Sequence, residues 1–313
     1  MIDTFGLYKN CTLCPRSCGV DRHSGTGFCG EGAELRLACA SIHKGEEPPV
    51  TGSGGSGTIF VSGCNLGCAF CQNCQISQNK PMGRAVSAAE FADICLALEK
   101  QGAQNINIVT GSHAIPAIAA GLDAARGGGL TIPALWNTSS YESEQALELL
   151  RGRVQTFLPD LKTLDSRLAA QFFNAPDYPA AATAAIMKMI AMSEHSENAA
   201  GMVIIRHLIL PGFLESTRQV LQWFADNAQG RALLSLMTQY TPVKNAGGAA
   251  PSRYVNKAEY EAVLGWCGEF GIDDGFCQEL VTGSAWLPDF NRVNPFSSRL
   301  SKPVWHWRDG FAK

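Results

Sequence analysis

Three closely spaced cysteines carry the most direct chemical signal in this chain. Cys64, Cys68 and Cys71 follow the spacing C-x3-C-x2-C, and three thiolates held this closely can bind three corners of a cubic iron–sulfur cluster. A [4Fe–4S] cluster normally takes four cysteines, so this run leaves one iron open to a ligand that is not protein. Phe70, between the second and third cysteine, is expected to shield one side of the cluster from water.

The same spacing is compatible with other roles for these cysteines. Zinc prefers four ligands, and Cys74 follows Cys71 at a C-x2-C spacing, so it would complete a zinc site. A disulfide or unconnected buried thiols are the remaining alternatives. The apolar stretch at 58–62 precedes the run, so the cysteines are expected at the carboxyl end of a strand, where barrel enzymes place their chemistry.

A second group of cysteines lies nearer the start of the chain. Cys11, Cys14, Cys18 and Cys29 have the spacing C-x2-C-x3-C-x10-C. Four thiolates suit either a closed zinc site or an auxiliary iron–sulfur cluster, and the spacing leaves both open. We expect a small metal-binding module here, packed on the main domain.

Composition limits the class of protein. The chain has 313 residues, 46% of them hydrophobic and 17% charged, so it can bury a large core. A net charge of −3, with basic residues scattered, gives no reason to expect nucleic acid. No signal peptide or membrane span is expected. Twelve cysteines without an export signal indicate a reducing compartment, so the predicted location is the cytoplasm.

The chain alternates short β-branched runs with longer helical patterns from about residue 57. A capping box from Ser87 to Glu90 opens one helix, and Pro116 suits the first turn of the next. This alternation predicts an α/β fold with a parallel sheet, either a (β/α)6 partial barrel or a doubly wound open sheet. The predicted strands are 58–62, 105–109, 131–136, 154–159, 202–210 and 233–239, and further helices are predicted at 142–150, 165–173, 180–193, 215–228 and 257–270.

Three segments are predicted. Residues 1–56 form a cysteine-rich segment with the four-cysteine metal site, 57–285 form the main α/β domain, and 286–313 form a C-terminal tail. Residues 243–256 are predicted to be a loop because they include a run of glycine and alanine.

Several motifs in order resemble a known family. The C-x3-C-x2-C run resembles the signature of the radical S-adenosylmethionine superfamily. Over nearly the whole chain the sequence is similar to homologues of pyruvate formate-lyase activating enzyme of the PflX type. The stretches that carry this resemblance are 11–18, 63–73, 137–142, 158–162, 205–212, 236–240 and 271–279.

The resemblance implies a partial TIM barrel and a [4Fe–4S] cluster on Cys64, Cys68 and Cys71. In such enzymes the open iron binds the amino and carboxylate groups of S-adenosylmethionine, and an electron from the cluster cleaves the sulfonium to give a 5′-deoxyadenosyl radical. Because the cofactor carries this chemistry, no side chain beyond the cluster ligands is assigned a catalytic role.

The resemblance also implies cofactor-binding residues at the strand ends. Asp160 and Lys162 match an Asp-x-Lys stretch in which the acidic residue lies near the active site and the lysine near S-adenosylmethionine. Arg206 resembles a family arginine whose planar fork suits the methionine carboxylate, and Asn137 is expected to hydrogen-bond a polar group of the ligand. For each residue, an internal ion pair or a helix cap is the structural alternative.

One turn departs from the family pattern. Where a Gly-Gly-Glu turn often meets the methionine amine, this chain has Thr110, Gly111, Ser112 and His113. We expect Gly111 and Ser112 to contribute backbone acceptors and a hydroxyl to the cofactor site, with the Thr110 hydroxyl as the alternative to that of Ser112. His113 would contact ligand or substrate, or bond to backbone at a helix start.

The resemblance implies an oxidoreductase that activates a glycyl radical enzyme as its protein substrate and takes electrons from a donor such as flavodoxin or ferredoxin. An alternative is the same radical chemistry on a small molecule or a protein side chain. A third reading is a non-enzymatic metal-binding or electron-transfer protein. An open mouth that admits a protein loop would favour the first, and a covered pocket the second.

Overall fold

The computed structural model describes residues 6–78, 82–194, 201–243, 250–284 and 286–312. These residues form an eleven-stranded mixed sheet with helices, so the α/β prediction is confirmed. The strands are β1 Leu35–His43, β2 Ser56–Val61, β3 Arg84–Val86, β4 Ile106–Val109, β5 Ala134–Thr138, β6 Thr156–Pro159, β7 Met202–Leu208, β8 Leu233–Met237, β9 Gly275–Cys277, β10 Ser301–His306 and β11 Gly310–Phe311.

Helices connect the central strands. Ser87 accepts a hydrogen bond from the backbone N–H of Glu90 at the start of α3, and Pro116 occupies the first turn of α4, both as predicted. The helices are α1 Pro48–Thr51, α2 Cys74–Ser77, α3 Ala88–Lys100, α4 Ile115–Gly127, α5 Glu144–Glu148, α6 Ser166–Phe173, α7 Tyr178–Glu194, α8 Leu214–Asn227 and α9 Lys257–Glu269.

The strand order is β11-β10-β1-β2-β4-β5-β6-β7-β8-β9, and β3 pairs with β1. The pairs from β2 through β9 are all parallel. Strand β4 is buried along its whole length, because helices cover a parallel sheet and its strands can be apolar on both faces. The six predicted strands correspond to β2, β4, β5, β6, β7 and β8.

The ends of the chain add strands that the sequence did not predict. β1 lies antiparallel between β2 and β10, and β11 continues the sheet beyond β10. Residues from the segments 1–56 and 286–313 therefore share the sheet of the central part. Residues 244–249 of the loop predicted at 243–256 lie outside the described residues, and the described residues 250–256 contain no helix or strand.

One cavity joins the ends of the central strands. Residues at the carboxyl ends of β2, β4, β5, β6, β7 and β8 all line it. The carboxyl ends of these parallel strands are thereby brought to a common site. Within the parts of the chain that the structure covers, no helix has the length and apolar character needed to cross a membrane.

Candidate active site

A cavity of about 260 Å³ lies at the carboxyl ends of the parallel strands. Gly63 follows β2, Thr110 follows β4, Asp160 follows β6, and Met237 ends β8, and all four line it. Loops at this edge of a parallel sheet are the usual place for ligand binding. The cavity therefore lies where the sequence predicts the chemistry.

The three cysteines of the C-x3-C-x2-C run line this cavity together. They lie in the cluster loop, residues 63–73, which leads from β2 to α2. The backbone N–H of Leu66 lies 3.4 Å from Cys64 Sγ, and Ser77 Oγ lies 3.3 Å from Cys71 Sγ. Local hydrogen bonds thus orient two of the three thiols.

Burial keeps the thiols of Cys68 and Cys71 protonated in the metal-free protein. It raises the pKa of Cys71 to about 11. It also raises the pKa of Cys68, although the nearby Lys162 ammonium opposes this shift. Because iron binds the thiolate, metal loading must displace these protons.

Phe70 has the surroundings expected of a shield. Its ring is 6% exposed and lines the cavity. It makes edge-on contacts with Phe172, Phe173 and Tyr240 at centroid distances of 5.5, 5.9 and 5.9 Å. Such contacts fix an aromatic ring in place, so the cluster loop has an apolar wall on this side.

The donor set fits a cluster better than a single ion. Across the described ranges, no group of three or more His, Cys, Asp or Glu side chains is placed to hold one metal ion. Cysteines of a cubic cluster each bind a different iron, so they do not have to converge on a single point. Among the described residues that line the cavity, Cys74 is absent, so a fourth thiol does not face the other three.

Asp160 and Lys162 share the cavity wall, as their spacing predicts. Lys162 Nζ lies 2.5 Å from Asp160 Oδ2. Tyr178 accepts a hydrogen bond from the Lys162 N–H and donates one to the Asp160 carbonyl, each at 3.0 Å. Burial alone would lower the pKa of Lys162, but the Asp160 carboxylate outweighs it and the pKa is raised. The lysine therefore stays cationic beside the cluster loop.

Arg206 also lines the cavity, and it has two acidic partners that the sequence did not predict. Its Nε donates to Glu47 Oε1 at 2.9 Å, and its Nη2 donates to Glu46 Oε2 at 2.6 Å and to Glu47 Oε2. Burial opposes ionisation of Glu47, but the Arg206 guanidinium outweighs it and holds the pKa of this carboxyl below its usual value. The arginine is thus held by a pair of carboxylates from the turn after β1.

The two glutamates differ in what they face. Glu46 lines the cavity, whereas Glu47 lies behind Arg206. Sequence reasoning missed both because β1 was not predicted, and only a strand ending at His43 would bring this turn to the strand ends. Other cavity residues missed from the sequence are His43, Gln72, Ser139, Gln239, Trp286 and Phe296.

Residues of the turn at 110–113, which departs from the family pattern, lie in two different places. Thr110 lines the cavity, as does Asn137 of β5. Ser112 is buried behind them and donates to Glu142 Oε1 at 2.6 Å. Gly111 packs against Trp136, whose ring would lie 2.8 Å from an added Cβ. Of these four, the structure brings Asn137 and Thr110 to the cavity, and Gly111 and Ser112 to the core.

Two of the buried histidines near the site, His113 and His207, bond within the protein. His113 Nε2 lies 2.8 Å from the Ser62 carbonyl, and His207 lies 2.7 Å from the Leu161 carbonyl and 3.0 Å from Thr217 Oγ1. Burial lowers the pKa of each to about 4. Both are therefore neutral at physiological pH, and of the two alternatives for His113 the structure shows the backbone bond.

The four N-terminal cysteines are brought together. Cys11, Cys14, Cys18 and Cys29 line a separate void of about 10 Å³, which is also bordered by Asn65 of the cluster loop. Ten residues separate Cys29 from Cys18 in the chain, so the sequence alone did not require Cys29 to lie beside the other three cysteines. The N-terminal cysteine group thus lies next to the cluster loop.

These features agree with a comparison to known families. The model of the Radical SAM superfamily matches residues 58–224, more than half of the chain. The chain belongs to the Radical SAM superfamily. The match includes the cluster loop, Asn137 of β5, Asp160 and Lys162 after β6, and Arg206 of β7.

A curated relative and solved structures share this similarity. The chain is 29% identical over 242 residues to the uncharacterized protein MJ0674 of Methanocaldococcus jannaschii, covering 75% of this chain and 67% of that one. It resembles the FeFe-hydrogenase maturase HydG of Carboxydothermus hydrogenoformans with a TM-score of 0.51 at 12% identity, covering 72% of this chain and 52% of HydG. SuiB of Streptococcus suis bound to the precursor peptide SuiA gives a TM-score of 0.48 at 17% identity, covering 72% and 47%. The chain spans about half the length of these solved structures.

Membership implies a [4Fe–4S] cluster and S-adenosylmethionine as the cofactors of this radical SAM enzyme. The residues present fit both groups. Three thiols face the cavity with no fourth thiol among the described residues that line it, and the cavity also presents the polar side chains of Asn137, Lys162 and Glu46. Soft thiolates suit iron, and cationic and anionic groups together suit a zwitterionic amino acid moiety.

Proposed function

We propose that this radical SAM enzyme reductively cleaves S-adenosylmethionine at a [4Fe–4S] cluster held by Cys64, Cys68 and Cys71. The observation that carries the proposal is that these three thiols line one cavity with Lys162 and Arg206. When bound, the cluster supplies an electron to the cofactor's sulfonium, and the products are methionine and a 5′-deoxyadenosyl radical. The chain's own residues hold and orient the two groups.

Lys162, Arg206 and Asn137 are proposed to hold the cofactor. Lys162 stays cationic because Asp160 pairs with it, and this carboxylate fixes the position of the ammonium at 2.5 Å. Arg206 keeps its guanidinium plane fixed through Glu46 and Glu47. A planar, immobilised fork loses little freedom when it meets a carboxylate.

Glu46 is proposed to supply the acidic group that the turn at 110–113 lacks. It is the carboxylate on the cavity side of the Arg206 pair, with a side chain 13% exposed. Asn107 donates to its other oxygen at 3.1 Å, so its orientation is set from two sides. A fixed carboxylate in this position suits the methionine amine. In this proposal Gly111 and Ser112 support the site from the core and do not touch the cofactor.

The sheet is proposed to form a (β/α)6 partial TIM barrel over residues 57–285. Its cavity is at the carboxyl ends of six consecutive parallel strands, as in barrel enzymes. The cysteine-rich segment 1–56 and the tail 286–313 are proposed to be additions that extend the sheet through β1, β10 and β11.

Within the superfamily, we place the chain with the PflX-type homologues of pyruvate formate-lyase activating enzyme. The motif resemblance across residues 11–279 supports this subfamily. It would make the substrate a glycine of a partner glycyl radical enzyme and the electron donor a flavodoxin or ferredoxin.

One observation favours the alternative of a small-molecule substrate or an isolated side chain. Trp286 and Phe296, from the C-terminal segment, line the cavity next to Gly45. The Trp286 ring would lie 2.7 Å from a Cβ added at Gly45, so this segment packs closely over the turn after β1. A cavity bordered in this way admits a small ligand more easily than a protein loop.

The test is cofactor cleavage by anaerobically reconstituted protein. After reduction with dithionite in the presence of S-adenosylmethionine, we expect 5′-deoxyadenosine from the parent chain. Cys64→Ser, Cys68→Ser and Cys71→Ser are each expected to abolish it, and Cys277→Ser, at an exposed thiol far along the chain, is the matched control. A parent protein with a full, reduced cluster that forms no 5′-deoxyadenosine would contradict the proposal and favour a binding or electron-transfer role.

A further inference from the structure

Two glutamines in the cavity have amide groups that the proposed cofactor contacts do not use. Gln72 lies in the cluster loop directly after Cys71, and Gln239 lies two residues beyond the end of β8. Both residues line the cavity and are half-buried. They are 167 positions apart in the chain, yet Gln72 Nε2 donates to the Gln239 carbonyl at 2.9 Å. The fold therefore holds the two glutamines side by side next to the cluster loop.

A chain of hydrogen bonds fixes which end of the Gln239 amide is free. The backbone N–H of Thr238 donates to Gln278 Oε1 at 3.0 Å, so the other terminus of Gln278 is its amide nitrogen. This nitrogen donates to Gln239 Oε1 at 3.1 Å. Gln239 must then turn its Nε2 away from Gln278. Among the described residues, the one hydrogen-bond partner of this Nε2 is Met237 Sδ at 3.8 Å, which is a weak acceptor. Gln239 therefore has an N–H to donate.

Gln72 presents the opposite group. Its Nε2 donates to a backbone carbonyl, which only accepts, so the other terminus of its amide is Oε1. Within the described part of the chain, no donor bonds to this oxygen. It is also not one of the described atoms that are buried without a partner, so it is accessible. The two glutamines thus offer one donor and one acceptor, each with a fixed identity.

The charged groups of the cavity have other partners. Lys162 pairs with Asp160 at 2.5 Å, and Arg206 pairs with Glu46 at 2.6 Å. The two glutamine amides bond to neutral groups. A neutral donor and a neutral acceptor compensate poorly for the desolvation of an ion. They match a neutral group that has one acceptor and one donor of its own, and an amide, with its C=O and N–H, is such a group.

We infer that Gln72 and Gln239 bind an amide group of the substrate. Gln239 Nε2 donates to the carbonyl oxygen of that amide, and Gln72 Oε1 accepts from its N–H. The inference rests on the proposed function, because it names the substrate group that lies beside the cofactor in the same cavity. A small carboxamide and a polypeptide backbone both supply this chemistry.

Gln278 is a positioning residue in this arrangement. It directly follows β9 and is not among the described residues that line the cavity. Gln278→Glu keeps an acceptor for the Thr238 N–H but replaces the donor to Gln239 with a second acceptor. The Gln239 amide is then expected to turn over and present its oxygen to the ligand. This variant should bind amides more weakly while its free energy of unfolding stays close to that of the parent.

The test is ligand binding to the reconstituted, unreduced protein with saturating S-adenosylmethionine, followed by ligand-detected nuclear magnetic resonance. The probes are benzamide and methyl benzoate, because an ester accepts a hydrogen bond but does not donate one. Gln72→Met should lose about 2- to 12-fold in affinity for benzamide, the value of one neutral hydrogen bond, and little for the ester. Gln239→Met should weaken both probes by a similar factor, because both have a carbonyl. Gln219→Met, at an exposed glutamine of α8, is the matched control and should change neither.

A third probe, acetyl-tetraalanine amide, distinguishes the two sources of the amide. If its affinity also falls in the variants, the source is a polypeptide backbone, and if only benzamide is affected, it is a small carboxamide. Iron content is measured in every variant. If Gln72→Met fails to hold the cluster, Gln239→Met and Gln278→Glu still test the inference from other parts of the chain.

Two results would overturn the inference. One is parent-like affinity for both amides in Gln239→Met and Gln278→Glu with a full cluster. The other is a loss of S-adenosylmethionine affinity, measured by equilibrium dialysis, with no effect on the amides, because an adenine edge also offers an acceptor beside a donor. None of these measurements needs reduction. A failure to form 5′-deoxyadenosine therefore counts against the proposed function and is distinguishable from a failure to bind amides.

Discussion

The two neighbouring glutamates on Arg206 provide a matched pair of variants. Glu46 and Glu47 bind the same guanidinium, but only Glu46 faces the cavity. Glu46→Gln keeps an acceptor for Arg206 Nη2 and removes the charge. If the Glu46 carboxylate meets the amine of S-adenosylmethionine, the change removes a hydrogen bond to a charged group, worth about 1.5–3 kcal/mol.

At about 1.4 kcal/mol for each tenfold change, this loss weakens cofactor binding by roughly 10- to 150-fold. Stability should change little in Glu46→Gln, by about 1 kcal/mol or less, because Arg206 keeps both contacts to Glu47. Glu47→Gln should instead lower the free energy of unfolding and leave cofactor binding little changed. Its carboxylate is 8% exposed, and loss of a buried ionic partner costs up to about 3–5 kcal/mol, which the remaining Glu46 reduces to about 2–4.

Two assays separate these effects. Equilibrium dialysis of S-adenosylmethionine against the reconstituted, unreduced protein gives Kd without requiring turnover, and urea denaturation of the metal-free protein gives the free energy of unfolding. Iron content is measured in both variants so that cluster loss is not taken for weak binding. Parent-like Kd in Glu46→Gln, with a full cluster, would refute the role given to Glu46.

Two further predictions concern stability. Gly63 has φ +83°, and a Cβ there would lie 2.4 Å from Glu31 Cγ and 3.1 Å from the Cys29 carbonyl. Gly63→Ala should therefore lower the free energy of unfolding, measured by urea denaturation, by about 2–5 kcal/mol. It should also lower the iron content. Gly102→Ala, at φ +95° with open space around it, is its control and should cost only about 1–2 kcal/mol; equal losses would contradict the packing seen at Gly63. Because the pKa of Glu47 is below its ordinary value of 4.5, its ion pair contributes stability above about pH 4.5 and loses it as pH falls through the lower folded-state value. The difference in unfolding free energy between the parent and Glu47→Gln should therefore shrink on acidification, and a difference that is constant with pH would argue against an ionised Glu47.

The central elements could be predicted from sequence because their signals are local. Strands β2 and β4 to β8 are runs of apolar and β-branched residues, and α3 carries its own N-cap. The added strands had weaker signals. β9 has only three residues. β1 was predicted as part of the cysteine-rich segment and not as a strand, although it is buried along nearly all of its length. Their pairing with distant strands, which no short window contains, determines their conformation.

The residues of the candidate site show the same difference between local sequence signals and long-range contacts. Cys64, Cys68 and Cys71 were predicted as a group from their spacing, because a short loop limits how far apart their thiols can lie, and all three line one cavity. Glu46 was not predicted, because its contact is with Arg206, which is 160 residues away in the chain.

The sequence by itself determined which chemistry is available: a three-cysteine loop after a strand, a four-cysteine group and an Asp-x-Lys pair at the end of another strand. The tertiary structure decided which of these groups meet. It brought Thr110 and Asn137 to the cavity and turned Ser112 toward Glu142 in the core. It also buried Arg22 among four thiols and gave Arg206 two carboxylates. These outcomes depend on long-range packing, since the cost of burying a charge is set by groups that only the folded chain brings together.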